Sequence, residues 1–222
     1  MTLKLLLVAH IAVLGYWLGS ELVINSTFRY VSWARDLAVT ERDRLMDHVM
    51  VVDQHVRYAL VLQFTLGFAL AFKLAYLPGG DIAAWAVGVA GLAWLILVET
   101  THRSRKSRNG PGLAAFDRAL RYGVMVGLIL LATGALMGMG PGSNLPRWLA
   151  LKLVCFAAVM GCGVGIRRVL IRLAPVWQNL VTEGSTADRE QQIRLLYKQA
   201  TSVLVLLWMF IGLMVWLSVW KP

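Results

Sequence analysis

The chain has 222 residues, of which 58% are hydrophobic and 15% charged, and nine Trp and 20 Gly are among them. A soluble domain carries roughly 45–50% apolar and about 25% charged residues, so this balance argues against a water-soluble globular domain and for a bilayer. The formal net charge of +10 does not imply a nucleic-acid partner, because the basic residues sit in short segments between apolar runs and not on one continuous face.

Six apolar runs follow one another, at about Leu3–Ile24, Val56–Leu77, Ile82–Val98, Leu120–Met139, Trp148–Leu170 and Thr201–Val219. Each is near the ~20 residues that cross ~30 Å of hydrocarbon as a helix. The spacing therefore predicts an all-α, polytopic integral membrane helix bundle of about six transmembrane helices, a single domain over residues 1–222. The first stretch, from Thr2, reads as a retained helix and not a cleaved signal peptide: it is too long, and no A-x-A site follows it. Within it stands His10, an ionisable group where such groups are costly and usually functional. Gly15 and Gly19 give this helix a small-xxx-small face, and Gly161 and Gly165 give one to the fifth; close helix packing is the expected use. Pro78, Gly79 and Gly80 form a tight turn that makes a hairpin of runs two and three. Pro141, Gly142 and Pro146 do the same for runs four and five. Cys155 and Cys162, seven apart on one helix, share a face and cannot bridge to each other.

The remaining connections are basic. Asn25 to His55 holds Arg29, Arg35, Arg42 and Arg44 among acids; Thr100 to Arg121 holds six basic residues against Asp117; Arg167 to Lys198 holds six more. By the positive-inside rule these three are cytoplasmic and both termini are periplasmic, in a bacterial inner membrane. Ala38 to Val52 has Leu45, Met46, Val49 and Val52 at helical spacing, which suggests an amphipathic helix lying on the cytoplasmic surface. Thr182 to Ser185 should break the chain, with a helix resuming from Asp188 into the last span.

Topology assigns depth. His10 lies roughly 10 Å in from the periplasmic end of its helix, and Lys152, just inside the fifth helix, lies at a similar depth. His55 and Arg57 begin the second helix at the opposite face, too far from His10 to share one metal. The bland readings are definite as well. His10 could simply hydrogen-bond a neighbouring helix, and Lys152 and Lys73 could snorkel to the interface. His48, His55 and His102 read as surface or interface groups, and Glu21 and Glu99 as partners of Arg29, Arg57 or Arg103, with Glu21 deep enough to stay a candidate. Met137, Met139 and Met160 offer soft ligands for copper(I). No phosphate-cradling Gly loop, CxxC, HExxH or Ser/His/Asp grouping is present.

Several stretches together resemble one family. Leu3-Lys4-Leu5-Leu6-Leu7-Val8-Ala9-His10, followed by Tyr16-Trp17-Leu18-Gly19, is similar to the opening helix of the HemJ-type membrane protoporphyrinogen oxidases and their CopD-like relatives. Arg44-Leu45-Met46 resembles that family's approach to its second helix. Trp148-Leu149-Ala150-Leu151-Lys152-Leu153 resembles its Trp-Leu-x-Leu-Lys-Leu motif, and the ending Val215 to Lys221-Pro222 its C-terminal helix. Roughly Ile82 to Met139 is additional to that family, and its Asn-Glu pair before the last helix is absent here. The resemblance implies that His10 binds the iron of haem b and that Lys152 is its functional partner, as second ligand or nearby cation. Trp17, with Tyr16, would line the cofactor cavity. The expected function is a haem b-binding membrane oxidoreductase that oxidises a porphyrinogen or passes electrons to quinone. The alternatives are a CopD-like copper or metal-handling permease, with His10, Met137 and Met139 at its periplasmic mouth, and a non-catalytic membrane subunit. Membrane lipid is the expected surrounding, with a homo-oligomer or a larger complex left open.

Overall fold

The computed structural model describes residues 2–221, so Pro222 of the closing Lys-Pro lies outside the described residues. Six helices follow in order: α1 Leu3–Trp33, α2 Val39–Lys73, α3 Gly80–Arg103, α4 Gly110–Met137, α5 Arg147–Glu183 and α6 Ala187–Trp220. There is no strand among the described residues. All six helices are long and apolar enough to cross a membrane. At 1.5 Å per residue, the 24 residues of α3 reach about 36 Å and the 37 of α5 about 55 Å. Both values exceed the ~30 Å of a hydrocarbon core.

The surplus length corrects one expectation. Residues 39–55 are not a separate helix lying on a surface; they are the first half of α2, continuous with its apolar part. The three long basic connections shrink to residues 34–38, 104–109 and 184–186. The physical cause is that an amphipathic stripe can bury itself against another stripe instead of a lipid surface. Met46 and Val49 of α2 meet Phe28 and Val31 of α1, Val169, Leu173, Trp177 and Leu180 of α5, and Ile193, Tyr197 and Ala200 of α6 in a core of their own. This core continues the bundle beyond its apolar belt, toward the end where the basic residues gather (the basic face). Arg42 is part of it. Its guanidinium donates to both carboxylate oxygens of Glu190 at 2.6 and 3.1 Å, and its Nε donates to the Val31 carbonyl at 3.1 Å. The expected break before the last helix is present. Gly184 turns with a positive φ of 87°, and the Thr186 side chain accepts from the Arg189 amide to cap α6.

The second core, nearer the chain termini, joins Trp17, Ala59, Leu128, Phe156, Val159, Leu207 and Ile211. Around it the outward surface is apolar: Ile82 is 84% exposed, Val89 67% and Leu130 67%. A contiguous apolar exterior of this kind belongs to a protein that meets lipid. Both expected hairpins form. In the first, Gly79 holds φ 121°, and a Cβ there would stand 2.6 Å from the Ala83 Cβ, so only glycine fits the turn. Lys73 does not simply snorkel: its ammonium pairs with Asp81 across this turn at 2.6 Å. Both cysteines are buried and free.

The glycine faces divide. An added Cβ would meet nothing within 4 Å at Gly15, Gly19 or Gly161, but would touch Val203 of α6 at 3.3 Å at Gly165. The packed face of α1 runs through Trp17, Ser20, Glu21 and Phe28, and at 100° per residue Gly15 falls on its opposite side. Gly165→Val is therefore expected to lower the unfolding midpoint in detergent, while Gly15→Val and Gly19→Val leave it unchanged. Equal midpoints for all three would contradict the packing described.

Candidate functional site

His10 is held between α1 and α2. Its Nε2 lies 3.2 Å from the Gln63 Nε2, and the Cε1 of its ring would be 3.4 Å from a Cβ added at Gly67, one turn beyond Gln63. Two atoms of this pair are buried without a partner, His10 Nδ1 and Gln63 Oε1. With the amide donating as placed, Nε2 accepts and Nδ1 carries an unsatisfied hydrogen. Turning the amide over lets Oε1 accept from an Nε2–H, which satisfies Oε1 and leaves Nδ1 a free lone pair. Either way the site holds one imidazole nitrogen with nothing to bond, and a buried orphan of this sort costs about 1–3 kcal/mol.

Lys152, five residues into α5, sits about 8 Å from the start of its helix, the depth expected beside His10. Its partner is different. The half-buried ammonium donates to Ser218 Oγ of α6 at 2.8 Å, and Ser218 in turn donates to the Met214 carbonyl at 2.7 Å. The two residues are thus bonded within separate helix pairs, α1–α2 and α5–α6.

Trp17 stands two turns below His10 on the same face of α1. It is 1% exposed, meets Phe156 edge to face at 6.3 Å, and donates through its indole N–H to Glu21 at 3.3 Å. It lines an internal cavity of about 110 Å³ between α1, α2, α5 and α6, together with Glu21, Asn25, Asp53 and Thr201. Neither His10 nor Lys152 lines that cavity. The expectation that Glu21 pairs with an arginine is not met, since its partner is the indole. Glu99 does pair with Arg103, and it also accepts from the Tyr58 hydroxyl.

Sequence reasoning missed Gln63 and a second polar pair, Tyr16 with His55, whose Nδ1 lies 2.5 Å from the Tyr16 hydroxyl. Both pairs follow from one rule. Two antiparallel helices joined by a short connection face each other at equal distances from it. His10 lies 26 residues before Asp36 and Gln63 lies 27 after; Tyr16 lies 20 before and His55 19 after. Eight residues of α2, about 12 Å, separate His55 from Gln63, so His55 is out of reach as a second ligand of anything that His10 holds. His55 and His48 are both exposed.

Among the described residues no group of three or more His, Cys, Asp or Glu is placed to hold a metal ion. Met137 and Met139 are exposed at the end of α4, whereas Met160 is buried in the core. Comparison with family models, with curated proteins and with solved structures finds no match.

Proposed function

We propose that the protein is a haem b-binding redox protein of a bacterial inner membrane, with both termini periplasmic, in which His10 holds the iron. The observation that carries this reading is the buried His10 nitrogen without a partner, in a helix pair where Gln63 can fix the other nitrogen. That arrangement suits a metal-bound imidazole, whose remaining N–H is normally held by an acceptor. Bound haem would supply one-electron chemistry. The chain's own residues would present neutral imidazole, orient it through Gln63, and exclude water with the apolar side chains of the bundle. Lys152, already bonded to Ser218, is better suited to attract a porphyrin or porphyrinogen carboxylate than to serve as second ligand. The resemblance of the His10 and Lys152 stretches to the membrane protoporphyrinogen oxidases supports the substrate class, with quinone as the electron acceptor. Trp17 is assigned to the separate cavity and not to the cofactor.

The purified protein should show a haem Soret band that is lost in His10→Ala. Gln63→Leu should keep the band and shift its reduction potential, because it removes only the group that orients the ring. A colourless protein from cells supplied with iron and haem precursor would overturn the reading. Copper(I) handling is the second reading, favoured by the two exposed thioethers of Met137 and Met139 at the same end of the bundle as His10. Copper(I) binding that disappears in the double substitution of those methionines would select it.

A further inference from the structure

Three carboxylates are buried among the described residues: Glu21, Asp117 and Glu190. Asp117 pairs with Arg121 at 2.9 Å and Glu190 with Arg42 at 2.6 Å. Glu21, 5% exposed, makes no ion pair among the described residues; one oxygen accepts a hydrogen bond from Trp17 at 3.3 Å and the other accepts none. It lies on the wall of the cavity described above. That cavity extends from the level of Trp17 to that of Phe28, eleven residues along α1 or about 16 Å, so it leads from the middle of the bundle toward the basic face. At about 110 Å³ it has room for about three to four waters at ~30 Å³ each.

The groups facing Glu21 come from each neighbouring helix. On α2, Asp53 also lines the cavity, but it is held by Arg57 at 2.8 Å. On α5, Arg167 makes no ion pair with Glu21 among the described residues. On α6 the cavity is lined by no charged group; the Thr201 hydroxyl there donates to Asn25 Oδ1 at 3.0 Å, as Tyr197 does at 3.4 Å. No cation pairs with the Glu21 carboxylate among the described residues. A metal ion does not fit, because one free carboxylate and aliphatic walls such as Leu60, Ile166 and Leu207 supply too few oxygen ligands. An ionised carboxylate without a partner is too costly to keep in such surroundings. The ligand that removes the charge without needing further ligands is a proton.

We propose that Glu21 is a proton-binding site served by this cavity: the carboxylate takes a proton from hydronium in the cavity, leaving water, and returns it by the same route to the basic face. The assignment stands whether or not His10 holds iron. It gives the membrane interior an exchangeable proton about three turns from the His10 site along α1.

The test uses the purified full-length chain in detergent. Dicyclohexylcarbodiimide, which reacts with protonated carboxyl groups in apolar surroundings, should label the Glu21 peptide, several-fold more in mildly acidic than in mildly alkaline buffer. The label should vanish in Glu21→Gln and be absent from Asp53. Infrared difference spectra between the same two buffers should show a carboxylic-acid C=O band that is lost in Glu21→Gln and kept in Trp17→Phe. A Glu21 carboxyl that only anchors the indole would give no such band. Absence of the band, or its persistence in Glu21→Gln, would overturn the proposal, and the infrared result decides even where the carbodiimide cannot enter.

Discussion

Arg42→Ala should destabilise the bundle by about 3–5 kcal/mol, the usual result of removing one partner of a buried ion pair. Arg42 and Glu190 are 1% and 2% exposed, and the contact is bidentate. Truncation leaves the Glu190 carboxylate in a closed core with only the Ser185 hydroxyl, 2.7 Å away, to bond it. The Val31 carbonyl loses its donor at the same time, and the packing of the guanidinium over Trp177, at 5.7 Å, is lost. The penalty comes from the stranded charge more than from the missing attraction, and this gives the test a second arm. Arg42→Met combined with Glu190→Leu removes both charges and fills the same volume, and should recover most of the stability. Unfolding in detergent, followed by helical signal against denaturant, measures both variants. An Arg42→Ala protein as stable as the parent would mean that this core is open to water.

Gly91→Ala should separate α3 from α2. A Cβ on Gly91 would overlap the hydroxyl and methyl of Thr65 and stand 2.8 Å from its Cβ, and both residues belong to helix backbones that cannot yield like a flexible side chain. Overpacking a tight contact costs typically 1–3 kcal/mol, and Gly91→Leu should exceed that range. Thr65→Ala alone should cost little, because its buried hydroxyl has no hydrogen-bond partner, and it should partly rescue Gly91→Ala by removing two of the three overlapping atoms. Thermal retention of the folded species in detergent reads the series. A Gly91→Ala protein with parental retention would contradict the close approach.

The small-residue rule identified glycines of interest in α1 and α5 but not Gly91, which makes the tightest approach to another helix. Gly15 and Gly19 carry the familiar spacing and face outward; Gly91 has no spaced glycine partner and faces Thr65. Spacing states which glycines share a face. It does not state which face meets a neighbour. The same gap explains the candidate site. His10 and Lys152 stand out as polar residues in apolar helices, and their shared depth follows from helix rise. Their actual partners, Gln63 and Ser218, are ordinary polar residues that carry no signal of their own. Gln63 becomes legible only once α2 is known to be continuous from Val39, because the antiparallel register is then fixed by the short connection at residues 34–38.

The sequence by itself determined six apolar segments, both hairpin turns and the break before the last helix. These are local properties: transfer of apolar side chains into lipid, the positive φ that glycine tolerates, and the amides that a helix leaves unpaired at its start. Only the tertiary structure decided how far the helices run, that Arg42 is a core residue and not a loop charge, and that Glu21 faces a cavity lined by no cation among the described residues. Arg42 and Glu190 are 148 residues apart, and no local preference distinguishes a charge destined for water from one destined for a partner. That choice is made when four amphipathic stripes find one another and the charges among them are paired, as Glu190 is, or left facing a cavity, as Glu21 is.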